Sequence, residues 1–267
     1  MSDLKFHVFD YHTSNIDPKN IFNDTDSDDD FYEDEQPKFK SFENTTEYTI
    51  TMFGKTIKGE IVACIVEGFP PYFYIKVPNS WNKEVLTRFI NWIKSEKRFK
   101  VYKNCLRVDL CKFVTDVKIF RGFSLDKYKF VRLVFTNTLA MRKCTQFFTT
   151  EVEDKETGEK SRIPAPSRIL GITNGNYLFQ IFESKIDPLL RFIHHSKTKP
   201  CGNVFIKKGE YEIIDEKAKI TNCDMEFKVN WTKVHEDSEQ CQPPLKIMGF
   251  DIECNSSHGD FPVPNKD

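Results

Sequence analysis

Hydrophobic positions occur along the chain in short runs, and these runs predict a domain with several β-strands. Runs of strand-forming residues occupy 48–53, 61–66 and 72–77, with glycine or proline punctuating the gaps between them. We predict that these three strands pair as an antiparallel meander. Further strands are predicted at positions 114–123, 129–135, 204–206 and 225–231. Within 129–135 the side chains of Phe130, Arg132 and Val134 are expected to share one face.

Three other segments have the spacing or the end signals of helices. The segment 80–97 carries one apolar stripe, and Ser80 is the predicted N-cap; the stripe consists of Val85, Leu86, Phe89, Ile90 and Ile93. Thr136 and Asn137 are expected to cap a short helix. Asp187 followed by Pro188 predicts the start of a third helix, because proline suits the first helical turn. The polar segment 150–160 predicts a hairpin tip or an insertion.

Composition indicates that most of the chain folds, whereas its first residues are acidic and are predicted to be poorly ordered. Hydrophobic residues make up 39% of the sequence and phenylalanine supplies 25 positions, which is too apolar for a disordered protein. Positions 24–35 contain eight carboxylates and no basic residue, so residues 1–45 are predicted to be an acidic, poorly ordered head. Within this head, Phe6, Phe9 and Tyr11 could dock onto the folded domain as a short strand. The polar segment 236–244 ends in two prolines and predicts a domain linker.

A basic stretch follows the acidic head. Positions 97–143 contain 13 lysines and arginines against three acidic residues. Such a stretch contacts phosphate oxygens or forms a solvated surface without a partner, and the charge alone leaves both interpretations open. The candidate nucleic-acid-binding residues are Lys118, Arg121, Arg132, Arg142 and Lys143. Tyr102 and Phe113 could stack on bases, although a place in the core is the favoured interpretation.

The eight cysteines and the apolar runs bear on the compartment. None of the cysteines forms a C-x-x-C pair, and no histidine pair has zinc-finger spacing. Dispersed thiols predict a reducing, intracellular compartment. The first residues lack the apolar run of a signal peptide, and no apolar stretch reaches the roughly 18 residues of a membrane span. We therefore expect no membrane association.

Candidate chemistry is concentrated in the segment 245–254, which begins as an apolar run with strand character. Side chains alternate along a strand, so Asp251 and Glu253 are predicted to project to the same face. Two carboxylates on a buried strand are costly without compensation. A pair of Mg²⁺ or Mn²⁺ ions would compensate them, and two such ions can promote phosphodiester hydrolysis. By itself the D-x-E pattern is common and has little specificity.

The context of this pair resembles a known family. The sequence F-D-I-E-C at 250–254, with G-D-F-P at 259–262, is similar to the first exonuclease motif of family B DNA polymerases of the delta-like and large-DNA-virus type. Upstream, the segment 181–193, I-F-E-S-K-I-D-P-L-L-R-F-I, resembles another stretch of that family. The elements K-P-C-G at 199–202, P-Y-F-Y at 71–74 and V-N-W at 229–231 extend the resemblance to roughly residues 46–265.

The resemblance implies an α+β chain in three parts. A mixed or antiparallel N-terminal polymerase domain spans 46–244 after the head at 1–45, and 245–267 contains the first strand of an RNase H-like exonuclease domain. It implies a replicative DNA-directed DNA polymerase with 3′→5′ proofreading exonuclease. Asp251 and Glu253 would be its catalytic metal ligands, with Mg²⁺ or Mn²⁺ as cofactor. Template and primer DNA and the remainder of the polymerase would be the partners.

Further motifs of the family would follow residue 267, so this chain alone is expected neither to polymerise nor to proofread. The tetrapeptide D-T-D-S at 24–27 matches a polymerase metal motif, but it lies in the acidic run at the wrong end of the chain. Two alternatives remain: a stand-alone single-stranded nucleic-acid-binding module without catalysis, and an interaction subunit that uses the acidic head. The chain could be a split subunit, an exon product or a truncated fragment of the polymerase. The sequence is equally compatible with a location in the nucleus and at a viral replication site.

Overall fold

The computed structural model of the chain has an α+β architecture, which confirms the predicted fold class. It describes residues 3–15, 47–116, 126–153, 158, 160–173, 175–239, 243–246, 248–249 and 251. Within these residues there are two larger sheets, two small hairpins and three α-helices. None of the described helices is long and apolar enough to cross a membrane.

The larger sheet has seven strands. These are β1 (Leu4–Ser14), β2 (Thr49–Thr56), β3 (Ile61–Glu67), β12 (Gly202–Ile206), β13 (Tyr211–Ile213), β14 (Met225–Asn230) and β15 (His235–Glu236). Their order is β13-β14-β3-β2-β1-β12-β15. Only the β14–β3 pair is parallel among these neighbours, so the sheet is mixed. One face is covered by α3 (Pro188–Ser196), whose Phe192 lies fully buried among Phe6, Ile50 and Phe227.

The second sheet has four antiparallel strands in the order β11-β4-β6-β5. They are β4 (Tyr72–Lys76), β5 (Lys112–Asp116), β6 (Tyr128–Val134) and β11 (Ile181–Phe182). One face packs against α1 (Lys83–Ser95), a 3₁₀ helix at Lys97–Cys105 and α2 (Thr138–Thr145). The predicted alternation of β6 is confirmed: Val131 and Leu133 enter that core, whereas Phe130 and Val134 lie in a separate cluster on the opposite face.

Two hairpins complete the described chain. The first pairs β7 (Thr149–Glu153) with β8 (Lys160–Pro164), which agrees with the hairpin predicted around 150–160. The second pairs β9 (Pro166–Ser167) with β10 (Tyr177–Leu178). In the first hairpin, Glu151 forms ion pairs with Lys160 and Arg162 across the strands.

The helix caps follow the sequence at two of three positions. Asn137 Oδ1 accepts the Ala140 N–H at 2.8 Å, and Asp187 Oδ1 accepts the Leu189 N–H at 2.8 Å, as predicted. For α1 the cap is Asn82, whose Oδ1 accepts the Val85 N–H at 3.0 Å, and the prediction of Ser80 was wrong. The Trp81 N–H donates to Pro78 O, so Ser80 belongs to a turn that precedes the helix.

The predicted three-stranded meander was wrong in its last strand. β2 and β3 pair as expected, but β4 belongs to the four-stranded sheet, where it pairs with β6 and β11. Gly68 adopts a φ of 79°, which turns the chain after β3. Pro70 and Pro71 have no N–H groups to continue a ladder, so the next strand starts in another sheet.

The start of the chain contributes more to the fold than predicted. β1 lies between β2 and β12, so residues 4–14 belong to the seven-stranded sheet instead of the acidic head. Leu4, Phe6 and Val8 alternate into the core, and a bulge between Val8 and Asp10 leaves Phe9 44% exposed. Burial of this apolar face is the reason that the segment is ordered. Residues 16–45 of the predicted head lie outside the described residues.

The C-terminal strand prediction was wrong for the residues that the structure describes. Leu245, Lys246, Met248, Gly249 and Asp251 lie in neither a helix nor a strand. A strand requires a neighbour to pair its backbone N–H and C=O groups. No strand in the described part of the chain pairs with this segment.

At Gly54 the strands β1 and β2 leave no room for a side chain, and we predict that Gly54→Ala destabilises the fold. A Cβ there would lie 2.5 Å from Phe6 Cδ2 and 2.6 Å from His7 O. Because the second contact is to backbone, a side-chain rotation cannot relieve it. The free energy of unfolding, measured by urea denaturation, should fall by about 2 kcal/mol or more. Gly249→Ala, where the added Cβ meets nothing within 4 Å, should leave it unchanged.

Candidate nucleic-acid interface and exonuclease carboxylates

The two predicted metal ligands are only partly within the described structure. Asp251 is exposed, and Glu253 lies outside the described residues. No group of three or more histidine, cysteine or acidic side chains that could hold a metal occurs among the described residues. Carboxylate oxygens are the donors that Mg²⁺ and Mn²⁺ prefer, so the residue types fit such ions. The assignment of Asp251 and Glu253 as metal ligands stays a prediction.

The outer face of the four-stranded sheet mixes aromatic and basic side chains. Strand register places Tyr74 opposite Arg132 and Arg132 opposite Lys112. On β4, the Lys76 Nζ lies 3.8 Å from the centroid of the Tyr128 ring. Lys112 is exposed, and Arg132 is partly buried. We call Lys76, Lys112 and Arg132 the sheet cations.

Arg132 differs from the other arginine beside it. Both guanidinium groups face the ring of Tyr72, at 5.3 Å for Arg132 and 4.1 Å for Arg191. Arg191 forms an ion pair with Glu183 at 3.1 Å, and it also donates to the Glu183 carbonyl. No carboxylate of the described chain pairs with Arg132, and the buried Nε atoms of both arginines have no hydrogen-bond partner there. The charge of Arg132 is therefore the less compensated of the two.

His195 of α3 also contacts Tyr72, next to Arg132 and Arg191. Its Nε2 lies 2.8 Å from the Tyr72 hydroxyl, which links the helix to the four-stranded sheet. Partial burial lowers the pKa of His195, and the nearby charges of His194, Arg191 and Arg132 lower it further. The neutral imidazole is thereby favoured, since a protonated ring would face two guanidinium groups.

A second basic surface lies on the helical side of the domain. Phe99, Tyr102 and Cys105 occur every third residue along the 3₁₀ helix and pack toward the core, so the residues between them point outward. On α2, Met141 and Cys144 are buried. This leaves a group of basic residues on the outside, which we call the helical basic surface: Lys97, Arg98, Lys100, Lys103 and Arg142, all exposed, and Lys143, which is partly exposed.

Backbone and ring contacts hold these two helical elements side by side. The Thr136 N–H donates to Cys105 O at 2.8 Å, next to the start of α2. At the other end, the Arg98 guanidinium lies 5.5 Å from the centroid of the Phe147 ring, just after α2. The 3₁₀ helix and α2 are therefore antiparallel neighbours. No acidic residue interrupts positions 97–108 of the sequence.

The predicted nucleic-acid-binding residues are divided between two faces. Arg142 and Lys143 lie on the helical basic surface, whereas Arg132 lies on the opposite face of the sheet. Lys118 and Arg121 lie outside the described residues. The cations at 97–103 belong to the predicted basic stretch, but they are not among the candidate binding residues. The sequence signal that could identify them is the apolar spacing of three at Phe99, Tyr102 and Cys105, which is typical of a 3₁₀ helix and of neither a strand nor an α-helix.

The aromatic candidates for base stacking are part of the core. Tyr102 and Phe113 are partly buried and pack against the main hydrophobic cluster, which agrees with the favoured interpretation. Burial raises the pKa of Tyr102. The Lys129 Nζ lies 4.3 Å from the centroid of the Phe113 ring, so a cation covers one face of that ring.

The fold and the sequence agree with one class of enzyme. The model of the DNA polymerase family B exonuclease domain matches residues 179–267. The DNA polymerase of Acanthamoeba polyphaga mimivirus is 31% identical in an alignment of 228 residues that covers 82% of this chain and 12% of that protein. The DNA polymerase of Phaeocystis pouchetii virus is 31% identical over 86% of this chain and 21% of its own length.

A eukaryotic polymerase is also similar in sequence, and a solved polymerase structure is similar in fold. The DNA polymerase delta catalytic subunit of Schizosaccharomyces pombe is 26% identical over 82% of this chain and 19% of that protein. The family B DNA polymerase of Pyrobaculum calidifontis superposes on 91% of this chain and 21% of its own, with a TM-score of 0.50. At 13% identity this likeness shows the fold alone.

These findings show that the chain resembles a region of family B DNA polymerases that includes exonuclease-domain sequence. The chain is similar to the family B DNA polymerases, and the relatives that it matches are viral DNA polymerases and eukaryotic DNA polymerase delta catalytic subunits. It spans between 12% and 21% of the length of these relatives. The exonuclease match begins at residue 179, ahead of the domain boundary predicted at 245. The division at 245 stays a prediction.

Proposed function

We propose that this chain is the N-terminal portion of a replicative DNA-directed DNA polymerase with 3′→5′ proofreading exonuclease, and that it contacts template DNA. The helical basic surface is the observation that supports the DNA contact. Its cations are exposed on two antiparallel elements that the hydrophobic core holds in place. Lysine and arginine side chains displayed in this way can neutralise several successive phosphates, which supplies affinity without base specificity.

The exonuclease contribution is proposed for Asp251 and Glu253. We assign them as ligands of divalent metal, Mg²⁺ or Mn²⁺, on the strength of the family motif around them. When bound, such ions would stabilise charge on the attacking and leaving oxygens of a phosphodiester. The part played by this chain is to supply two of the anionic oxygen ligands. Primer and template DNA and the rest of the polymerase are the proposed partners, in a nucleus or at a viral replication site.

Direct DNA binding by the purified chain tests the proposal. A single-stranded oligonucleotide with a fluorescent label should bind, and its anisotropy should give a dissociation constant that rises steeply between about 50 and 200 mM salt. This response is expected because displaced counterions re-associate with DNA at high salt. Absence of binding at about 50 mM salt would contradict the proposed DNA contact. The same titration with duplex DNA shows whether single strands are preferred.

A further inference from the structure

A cysteine, a histidine and an asparagine meet on the outward face of the seven-stranded sheet. The Cys201 Sγ lies 3.4 Å from His7 Nε2, and His7 Nδ1 lies 2.8 Å from Asn203 Oδ1. The pairing of β1 with β12 produces this arrangement, because His7 and Asn203 are directly opposite in the register. Their neighbours Phe6, Val8 and Val204 point into the core, so these two side chains point outward.

The hydrogen bonds around Asn203 determine which nitrogen of His7 carries the proton. The Asn203 Nδ2 donates to the backbone carbonyl of Glu239, so the amide oxygen must be the atom that faces His7. An oxygen acceptor requires a proton on His7 Nδ1. In the neutral ring, Nε2 is then unprotonated, and its lone pair faces the sulfur of Cys201.

This order of groups is the one that activates a thiol. A base within hydrogen-bond reach accepts the thiol proton, and a third residue fixes the orientation of the base. Cys201 is exposed, so a reagent can reach its sulfur. By contrast Cys64, Cys105, Cys144 and Cys223 are buried. Burial also raises the pKa of Cys111, to about 11. Cys201 is the exposed cysteine within the described part of the chain.

We propose that Cys201 is an activated thiol at which low-molecular-weight disulfides and other soft electrophiles modify this protein, with His7 as its base. In the reaction with a disulfide, the Cys201 sulfur bonds to one sulfur of the reagent and the S–S bond of the reagent breaks. The thiol proton passes to His7 Nε2 and then to the departing sulfur. The products are a mixed disulfide on Cys201 and one free thiol.

The charged side chains around Cys201 form ion pairs with other residues, so they leave the Cys201 sulfur accessible. The nearest cation in sequence, Lys199, forms an ion pair with Glu236 at 3.3 Å, and its carbonyl accepts the Tyr11 hydroxyl at 3.0 Å. Lys5, on the same face two residues before His7, pairs with Asp237 and Glu239. These contacts are made between residues around the site, and none of them involves the sulfur of Cys201. Neither the proposed DNA contact nor the proposed metal ligands Asp251 and Glu253 involve this group.

The rate of modification at Cys201 tests the proposal. The purified 267-residue chain is treated with iodoacetamide and, separately, with glutathione disulfide, and peptide mass spectrometry follows each cysteine. In His7→Gln the rate at Cys201 should fall by about tenfold with both reagents, because glutamine cannot accept the proton. His12→Gln, which changes another histidine of β1, should leave the rate unchanged.

A second variant protects the test against a folding defect. Asn203→Ala keeps His7 but removes the acceptor that fixes its tautomer, so a smaller decrease in rate is expected. Circular dichroism and thermal unfolding of each variant report whether the sheet is intact. The proposal is overturned if folded His7→Gln reacts within about twofold of the wild type, or, should that variant unfold, if Asn203→Ala does so.

Discussion

Replacing Asp251 with Asn and Glu253 with Gln in the complete polymerase is expected to lower 3′→5′ exonuclease activity by about 10³-fold or more while nucleotide incorporation persists. An amide has almost the shape of the carboxylate it replaces but carries no negative charge, so it is a poor ligand for Mg²⁺. Metal ions contribute several kcal/mol to phosphodiester cleavage, and each 1.4 kcal/mol corresponds to about tenfold in rate. Loss of the ions therefore predicts the stated decrease.

The measurement is degradation of a primer with a labelled 5′ end and a mismatched 3′ end, in the presence of Mg²⁺ or Mn²⁺. A matched control is Glu212→Gln, which neutralises an exposed carboxylate on the edge strand β13 and should leave both activities unchanged. If the double variant proofreads within about threefold of the wild type, Asp251 and Glu253 are not the ligands. Loss of polymerisation as well would indicate a folding defect instead.

The sequence predicts the local elements of this fold better than their partners. The strand pattern at β2, β3, β6 and the caps at Asn137 and Asp187 depend on neighbouring residues, and the structure confirms them. Assignment of β4 to the second sheet depends on pairing with β6, more than fifty residues away along the chain. Such pairing leaves no mark in local periodicity. The same limit left β1 open between an acidic head and a short docked strand, because its partner β12 is still more distant and its neighbourhood is strongly acidic.

The candidate site was likewise predictable in its local composition but not in its three-dimensional arrangement. The basic stretch was recognisable from composition, but Arg132 and Arg142 lie on opposite faces of one sheet because α2 packs on the side of Leu133. Charge counting along the chain cannot separate two faces. The Cys201 arrangement was equally hidden, since His7 and Asn203 are almost two hundred positions apart. Only the antiparallel register of β1 and β12 brings them together.

Neutralising the helical basic surface should weaken DNA binding by the chain about 10²- to 10³-fold at roughly 0.1 M salt. The proposed variant changes four exposed cations to glutamine: Lys97, Lys100, Lys103 and Arg142. Each phosphate contact with single-stranded DNA adds about 0.7 to the slope of log affinity against log salt. Removal of four contacts should therefore lower that slope by about 3. The stability of the fold should change little, because all four side chains are exposed.

A matched control separates local contact from a change in overall charge. It converts four exposed lysines elsewhere to glutamine and alters the net charge by the same amount: Lys58, Lys83, Lys207 and Lys217. Its dissociation constant should stay within about threefold of the wild type, and its salt slope should be unchanged. If the control weakens binding as much as the helical variant does, the attraction is a property of the whole chain, and no defined interface exists.

The sheet cations provide a competing site for the same test. Arg132→Gln together with Lys112→Gln removes two charges from the opposite face, where the Arg132 guanidinium lacks a carboxylate partner among the described residues. With the helical basic surface as the DNA contact, this pair should alter the salt slope by less than about 0.5. If this pair lowers the salt slope more than the helical variant does, the DNA contact is the aromatic face of the sheet beside Tyr72. DNA would then lie against the sheet, because one bound strand cannot contact both of its faces at once.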